Sequence, residues 1–137
     1  MAHLVAYLTF DGNCREGMEF YTACLGGKLD LMTVGSSPMA AQMPGMGDQV
    51  MHSRLVSGNA ILMASDSMGR ERQEHGNSVS LCLVCDSKTE IEGLFSRLSA
   101  GGQITSPLRE EFFGTYGAVT DKFGFRWMFQ YGTGQMQ

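Results

Sequence analysis

The side chains suited to acid–base catalysis or ligation are His3, His52, Asp66 and the pair Glu110-Glu111. An imidazole titrates near neutrality, so it can move a proton or hold a metal ion. His52 falls in a strand-like run with Arg54 and Val56 on its face, where a half-exposed histidine bonded to a neighbour carries more weight than a catalyst. Asp66 closes an apolar run and reads equally as a turn or cap residue or as a carboxylate at a cleft mouth. Adjacent acids serve general acid–base chemistry when burial separates their pKa values. Successive strand residues point opposite ways, however, so one of the two glutamates faces solvent and Glu111 is the candidate. His3 reads first as a terminal residue and second as a ligand, and His75 lies in a polar loop.

A ligand pocket has a different signature. Tyr7, Thr9, Phe113, Tyr116, Trp127 and Met128 could line a cleft for an apolar or aromatic molecule, although each aromatic is also an ordinary core residue. The chain has eleven methionines. Met32, Met39, Met43, Met46 and Met51 bracket one long loop, the pattern of a pliable lid or a dimer contact. Arg109 and Lys122 are the cations best placed for an anionic group. Cys82 and Cys85 have CxxC spacing but sit in an apolar strand, where residues three apart face opposite sides; a redox or zinc role is disfavoured.

These residues need elements to hold them. Leu4 to Phe10 reads as a strand, with Leu4, Ala6, Leu8 and Phe10 on one face and Val5, Tyr7 and Thr9, preceded in phase by His3, on the other. Asn13 and Glu16 spell a capping box for a helix that carries Met18, Tyr21, Cys24 and Leu25 and stops at Gly26-Gly27. Lys28 to Val34 is a second strand, Gly35 to Gln49 a loop, and Val50–Ser57 with Ala60–Ala64 a hairpin around Gly58-Asn59. A polar linker, Ser65 to Asn77, follows.

The pattern then restarts. Val79–Val84 is a strand, Asp86-Ser87 with Glu90 another capping box, and Ile91, Leu94, Phe95 and Leu98 an apolar helical stripe. Gly101-Gly102 ends that helix, and Gln103–Ser106, Gly117–Thr120 and Phe125–Gln130 supply three strands. A constant shift of 75 residues lays Asp11 on Asp86, Phe20 on Phe95, Gly26-Gly27 on Gly101-Gly102 and Leu29 on Ile104. This is an internal duplication. It predicts an α+β fold of two tandem βαβββ modules, about 1–66 and 78–132, packed as a single domain because neither half buries a sheet alone.

Composition excludes several classes. With 137 residues, 43% hydrophobic and 18% charged, the chain is globular. Its formal charge of −4, without a Lys/Arg run, disfavours nucleic acid and anionic membrane as partners. No stretch approaches a spanning helix, and Met1-Ala2-His3 does not open a secretory signal. Four scattered cysteines suit free thiols, hence a cytoplasmic setting. Neither a G-x-x-x-x-G-K-[ST] loop nor a G-x-S-x-G elbow is present.

A repeated βαβββ unit with a Phe20-Tyr21-x-x-x-Leu25-Gly26 helix end resembles the vicinal oxygen chelate superfamily, which holds glyoxalase I, extradiol dioxygenases and the fosfomycin and bleomycin resistance proteins. The stretches Tyr7–Cys14, His52–Gly58, Leu62–Asp66 and Val119–Met128 look like its PhnB-like branch. The resemblance implies curled sheets around a cleft, a homodimer, and in catalytic members a divalent metal held from the first and last strands of each module. Carried onto this chain, those ligand positions fall near Val5 and Ser80, at Leu62 or Met63, and at Met128. None suits a hard divalent ion, so no cofactor is expected; a divalent metal is disfavoured but left open, with His3, His52 and Asp66 as nonstandard ligands.

The branch is sometimes labelled methyltransferase, yet the first half offers no glycine-rich strand–loop–helix for S-adenosylmethionine, and no residue supports a phosphonate. The expected function is binding of a small organic molecule in a hydrophobic cleft, and whether the chain is an enzyme stays open. The alternatives are a glyoxalase-, lyase- or dioxygenase-type enzyme with nonstandard ligands, and a resistance-type protein that sequesters a cationic drug.

Overall fold

The structure, a computed structural model, describes residues 1–70 and 72–132. It falls into two compact units, Met1–Glu74 and one beginning at His75. The first runs β1 (Ala6–Phe10), α1 (Cys14–Leu25), β2 (Lys28–Thr33), β3 (Val50–Ser57) and β4 (Ala60–Asp66), with one short 3₁₀ turn, Ala40–Gln42, inside the long loop. The second repeats the order as β5 (Leu81–Val84), α2 (Lys88–Ser99), β6 (Gln103–Glu111), β7 (Gly114–Thr120) and β8 (Arg126–Tyr131).

Each module forms its own mixed four-stranded sheet, ordered β1-β4-β3-β2 in the first and β5-β8-β7-β6 in the second. The first and last strands of a module pair in parallel, and the remaining neighbours are antiparallel. The duplicated βαβββ order and the α+β class stand as expected. The resulting core of each unit lies between sheet and helix. In the first it consists of Leu8, Phe10, Leu55, Leu62 and Ala64 against Met18 and Tyr21, and in the second of Val119, Trp127 and Phe129 against Ile91, Phe95 and Leu98.

The paired glycines have a packing reason. A Cβ on Gly27 would strike Val56 O, and one on Gly102 would strike Thr120 O, so each helix re-enters its sheet only where no side chain intervenes. Val56 lies on β3 and Thr120 on β7. The constant sequence shift therefore holds as far as the second strand and shortens beyond it, because the first module carries the longer Gly35–Gln49 loop.

The two helix starts differ. Ser87 Oγ accepts from Glu90 N at 3.0 Å, the cap expected for α2, while Glu90 Oε1 reaches one residue beyond the cap and accepts from Asp86 N at 2.7 Å. Asn13 makes no side-chain cap on α1. There the capping box is replaced by a tertiary acceptor, Asp66, brought in by β4.

Candidate functional site

Alternation divides each sheet into a helix-packed face and an open face. In the first module the register aligns Tyr7 with Met63, Thr9 with Ser65, Met63 with Arg54, Asp30 with Arg54 and Met32 with His52. Residues directly opposite share a face, so Tyr7, Thr9, Asp30, Met32, His52, Arg54, Met63 and Ser65 stand together on the open side. Tyr7 reaches diagonally over β4 to His52. Its Oη lies 3.3 Å from His52 Nδ1, and the rings stack with centroids 5.9 Å apart at 28°. Tyr7 is 51% exposed and Met32 39%. The face thus presents an aromatic–imidazole pair flanked by thioethers and hydroxyls, with the exposed charges of Asp30 and Arg54 beside them.

Asp66 does not join this face. Its parity places it on the helix side, 1% exposed. Oδ1 accepts from Gly12 N at 2.9 Å and Cys14 N at 3.0 Å, and Oδ2 from Val50 N at 2.8 Å. Three backbone donors and the positive end of α1 hold the carboxylate. It fixes the β1–α1 turn to the start of β3 and so sets the position of both Tyr7 and His52. Beside it, burial pushes the Cys14 thiol up to about 12, with the Ser53 hydrogen bond pulling down and the Asp66 charge adding a smaller upward push.

The second module's open face carries Cys82, Tyr116, Ala118, Met128 and Gln130, with Met128 aligned to both Cys82 and Ala118. Phe113 lies 6.2 Å from Tyr116, ring to ring. Trp127 is a correction to the pocket expected from sequence. Adjacent strand residues cannot share a face, and it is Trp127, 2% exposed, that enters the core, where its indole Nε1 donates to Asp121 Oδ2 at 2.8 Å. Asp121 Oδ1 also accepts from Phe123 N and Phe125 N, which ties the turn before β8. Each module thus has one buried aspartate acting as a backbone clamp.

The remaining candidates are scattered. His3 lies before β1 and is exposed; Glu111 is exposed and bonded to Arg109 at 2.8 Å. Lys122 sits 5.4 Å over the Phe123 ring. Both cations favoured from sequence thus already have partners. His75 packs edge-on against Phe125 at 5.0 Å. Cys82 is exposed and Cys85 buried, and both thiols are free, with burial the main cause raising the Cys85 pKa to about 11. The structure brings Tyr7, Thr9 and His52 together in one module and Phe113, Tyr116 and Met128 in the other.

The superfamily's metal can be tested against the donors present. The register selects Met63, on the open face, over Leu62, which is 6% exposed in the core. Met63 and Met128 supply thioether sulfur and Val5 no donor, while Ser80 offers only a neutral hydroxyl. A hard divalent ion needs carboxylate oxygen or imidazole nitrogen. Among the described residues no three His, Cys, Asp or Glu side chains are gathered for a metal. The donor set does not fit the ion.

Duplicated βαβββ units with open mixed sheets define the glyoxalase/bleomycin resistance/dioxygenase fold, shared with solved domains of far lower identity. Residues 2–130 match the family described as 3-demethylubiquinone-9 3-methyltransferase. The chain belongs to that family, the PhnB-like branch of the superfamily. It is 33% identical over 135 residues to Protein YjdN of Escherichia coli K12, covering 91% of this chain and 92% of that one. It is similar to the crystal structure of protein PA1353 from Pseudomonas aeruginosa (40% identity, TM-score 0.86, 96% and 98% of the two chains). It is also similar to a PhnB protein from Bacillus cereus described as a putative 3-demethylubiquinone-9 3-methyltransferase (25% identity, TM-score 0.77, 96% and 100%). The family description names a methyl transfer; in this chain the helix start that follows β1 is filled by Asp66.

Proposed function

We propose that the open face of the first sheet binds a small, largely apolar organic molecule and that it does so without the superfamily's metal. The observation that carries this reading is the exposed Tyr7–His52 pair, stacked and framed by Met32 and Met63. A solvent-facing aromatic with thioether neighbours gains by covering its surface with a ligand ring. Tyr7 Oη and His52 Nδ1 also offer a hydrogen-bonding edge that selects orientation. The second module's Tyr116 and Met128 offer a comparable apolar surface. Four free cysteines suit the cytoplasmic setting, and a homodimer belongs to the same reading.

A thermal-shift screen with small aromatic compounds tests it. A ligand at a hundredfold excess over its Kd adds about 2.7 kcal/mol to the native state. Compounds that raise the melting temperature of the wild type and leave that of Tyr7→Ala unchanged are the expected result. Failure of every compound, or an equal rise in Tyr7→Ala, contradicts the reading.

A further inference from the structure

Where β1 and β4 end, the first module has a polar recess of about 190 Å³ lined by Thr9, Ser65, Asp66, Ser67 and Arg70. Ser67 is only 5% exposed, and its Oγ makes no hydrogen bond among the described residues. Its backbone is fixed from both sides: N donates to Phe10 O at 2.7 Å, and O accepts from Arg70 N at 3.1 Å and Arg70 Nε at 3.3 Å. Met68 (φ 55°) and Gly69 (φ 78°) both take positive φ, the type I′ pattern that turns Arg70 back toward Ser67. A buried methionine in that region is strained, and such strain gathers at ligand sites.

The recess has unspent donors and a spent acceptor. Both Asp66 oxygens already accept backbone N–H groups, which offset its charge. The remaining Arg70 donors have no partner among the described residues, and among the described lining residues Asp66 is the one carboxylate beside the hydroxyls of Thr9, Ser65 and Ser67. A guanidinium beside three hydroxyls matches a planar, acceptor-rich group. We propose that this recess binds the carboxylate of a small organic acid whose body lies on the Tyr7–His52 face. Thr9 stands two residues beyond Tyr7 on the same strand, roughly 6.5 Å away, a gap that an aromatic acid bridges when an ethylene spacer separates ring from carboxylate. The placement of the organic body rests on the proposed function above, whereas the recess stands on the donors of Arg70 and Ser67.

Amide chemical shifts of the full chain, titrated with 3-phenylpropanoate, 3-phenylpropanol and acetate, test it in wild type, Arg70→Ala and Ser67→Ala. Arg70 is exposed, so its removal leaves the fold, and each variant's spectrum reports that directly. In the wild type 3-phenylpropanoate binds about tenfold more tightly than 3-phenylpropanol, a 1.4 kcal/mol preference, and moves the Ser67 and Arg70 amides; Arg70→Ala abolishes the preference and Ser67→Ala weakens it. Equal binding of both aromatics at Tyr7 and His52, or a preference that survives Arg70→Ala, overturns the recess and leaves the earlier reading standing. Saturable movement of Ser67 by acetate, with neither aromatic touching Tyr7, supports the recess and overturns the earlier reading.

Discussion

Tyr7 and His52 stand on strands that are not neighbours, yet their rings stack 5.9 Å apart because Tyr7 leans across β4 on the open face of the first sheet. That relationship depends on register: a one-residue slip of β1 would send Tyr7 into the core and Leu8 out. His52→Ala removes one half of the stack and one polar edge. Its affinity for an aromatic ligand is expected to fall about fivefold to tenfold in a calorimetric titration, with the melting temperature of the free protein held.

Asp66 is the fastening on which that register rests. Asp66→Ala leaves the N–H groups of Gly12, Cys14 and Val50 without their acceptor in a buried setting. The expected loss is about 3 kcal/mol of unfolding free energy, read as a lower urea midpoint. Wild-type stability in this variant would assign the site to ligand binding rather than to the fold.

Asp121 performs the equivalent service in the second module, with Trp127 as one of its donors. Trp127→Phe keeps the ring in the core and removes the indole donor from the buried Asp121 carboxylate. Unfolding free energy is expected to drop by about 2 kcal/mol. The Tyr7–His52 face should keep its ligand response, because Trp127 belongs to the second module's sheet.

Cys14 gives a pH dependence. Burial raises its folded pKa from 9.0 to about 12. Between these values the unfolded chain has lost the thiol proton and the native one retains it, so native binds more protons. This contribution to stability is complete below pH 9 and is lost as pH rises toward 12. In Cys14→Ser denaturation curves across that window, the alkaline decline should be shallower. A thiol reagent at pH 8 should label Cys82, which is exposed, well before Cys14.

Metal supplies a negative control with a sign. Titration of nickel, manganese or iron(II) into protein purified without chelator is expected to show no stoichiometric binding and no rise in melting temperature. A one-to-one isotherm lost in His52→Ala would mean that nonstandard ligands gather after all.

The modules were legible because duplication wrote them twice. Gly26-Gly27 and Gly101-Gly102, the apolar stripe through Ile91 and Leu98, and the Gly58-Asn59 hairpin each encode local geometry that needs no distant partner. What depended on tertiary contact was not legible. Asn13 with Glu16 spells a cap, but Asp66, far along the chain, takes that place. Trp127 and Met128 look alike as pocket residues until pairing with β7 assigns one to each face. Arg109 and Lys122 offered better-placed charges than Arg70 only while the side chains that already engage them were unseen. Strand parity was the available signal for Met63 and Ser65, since both alternate in phase with Ile61.

Methionine methyl resonances give the most direct readout of the claim that the thioether-framed face is a ligand site. With 13C-methyl methionine labelling and an aromatic compound from the thermal screen, Met63 and Met32 should shift saturably. Met18, fully buried between helix and sheet, should stay in place. Saturation with Met63 and Met32 unmoved, or a perturbation that follows Met18 instead, would contradict the account.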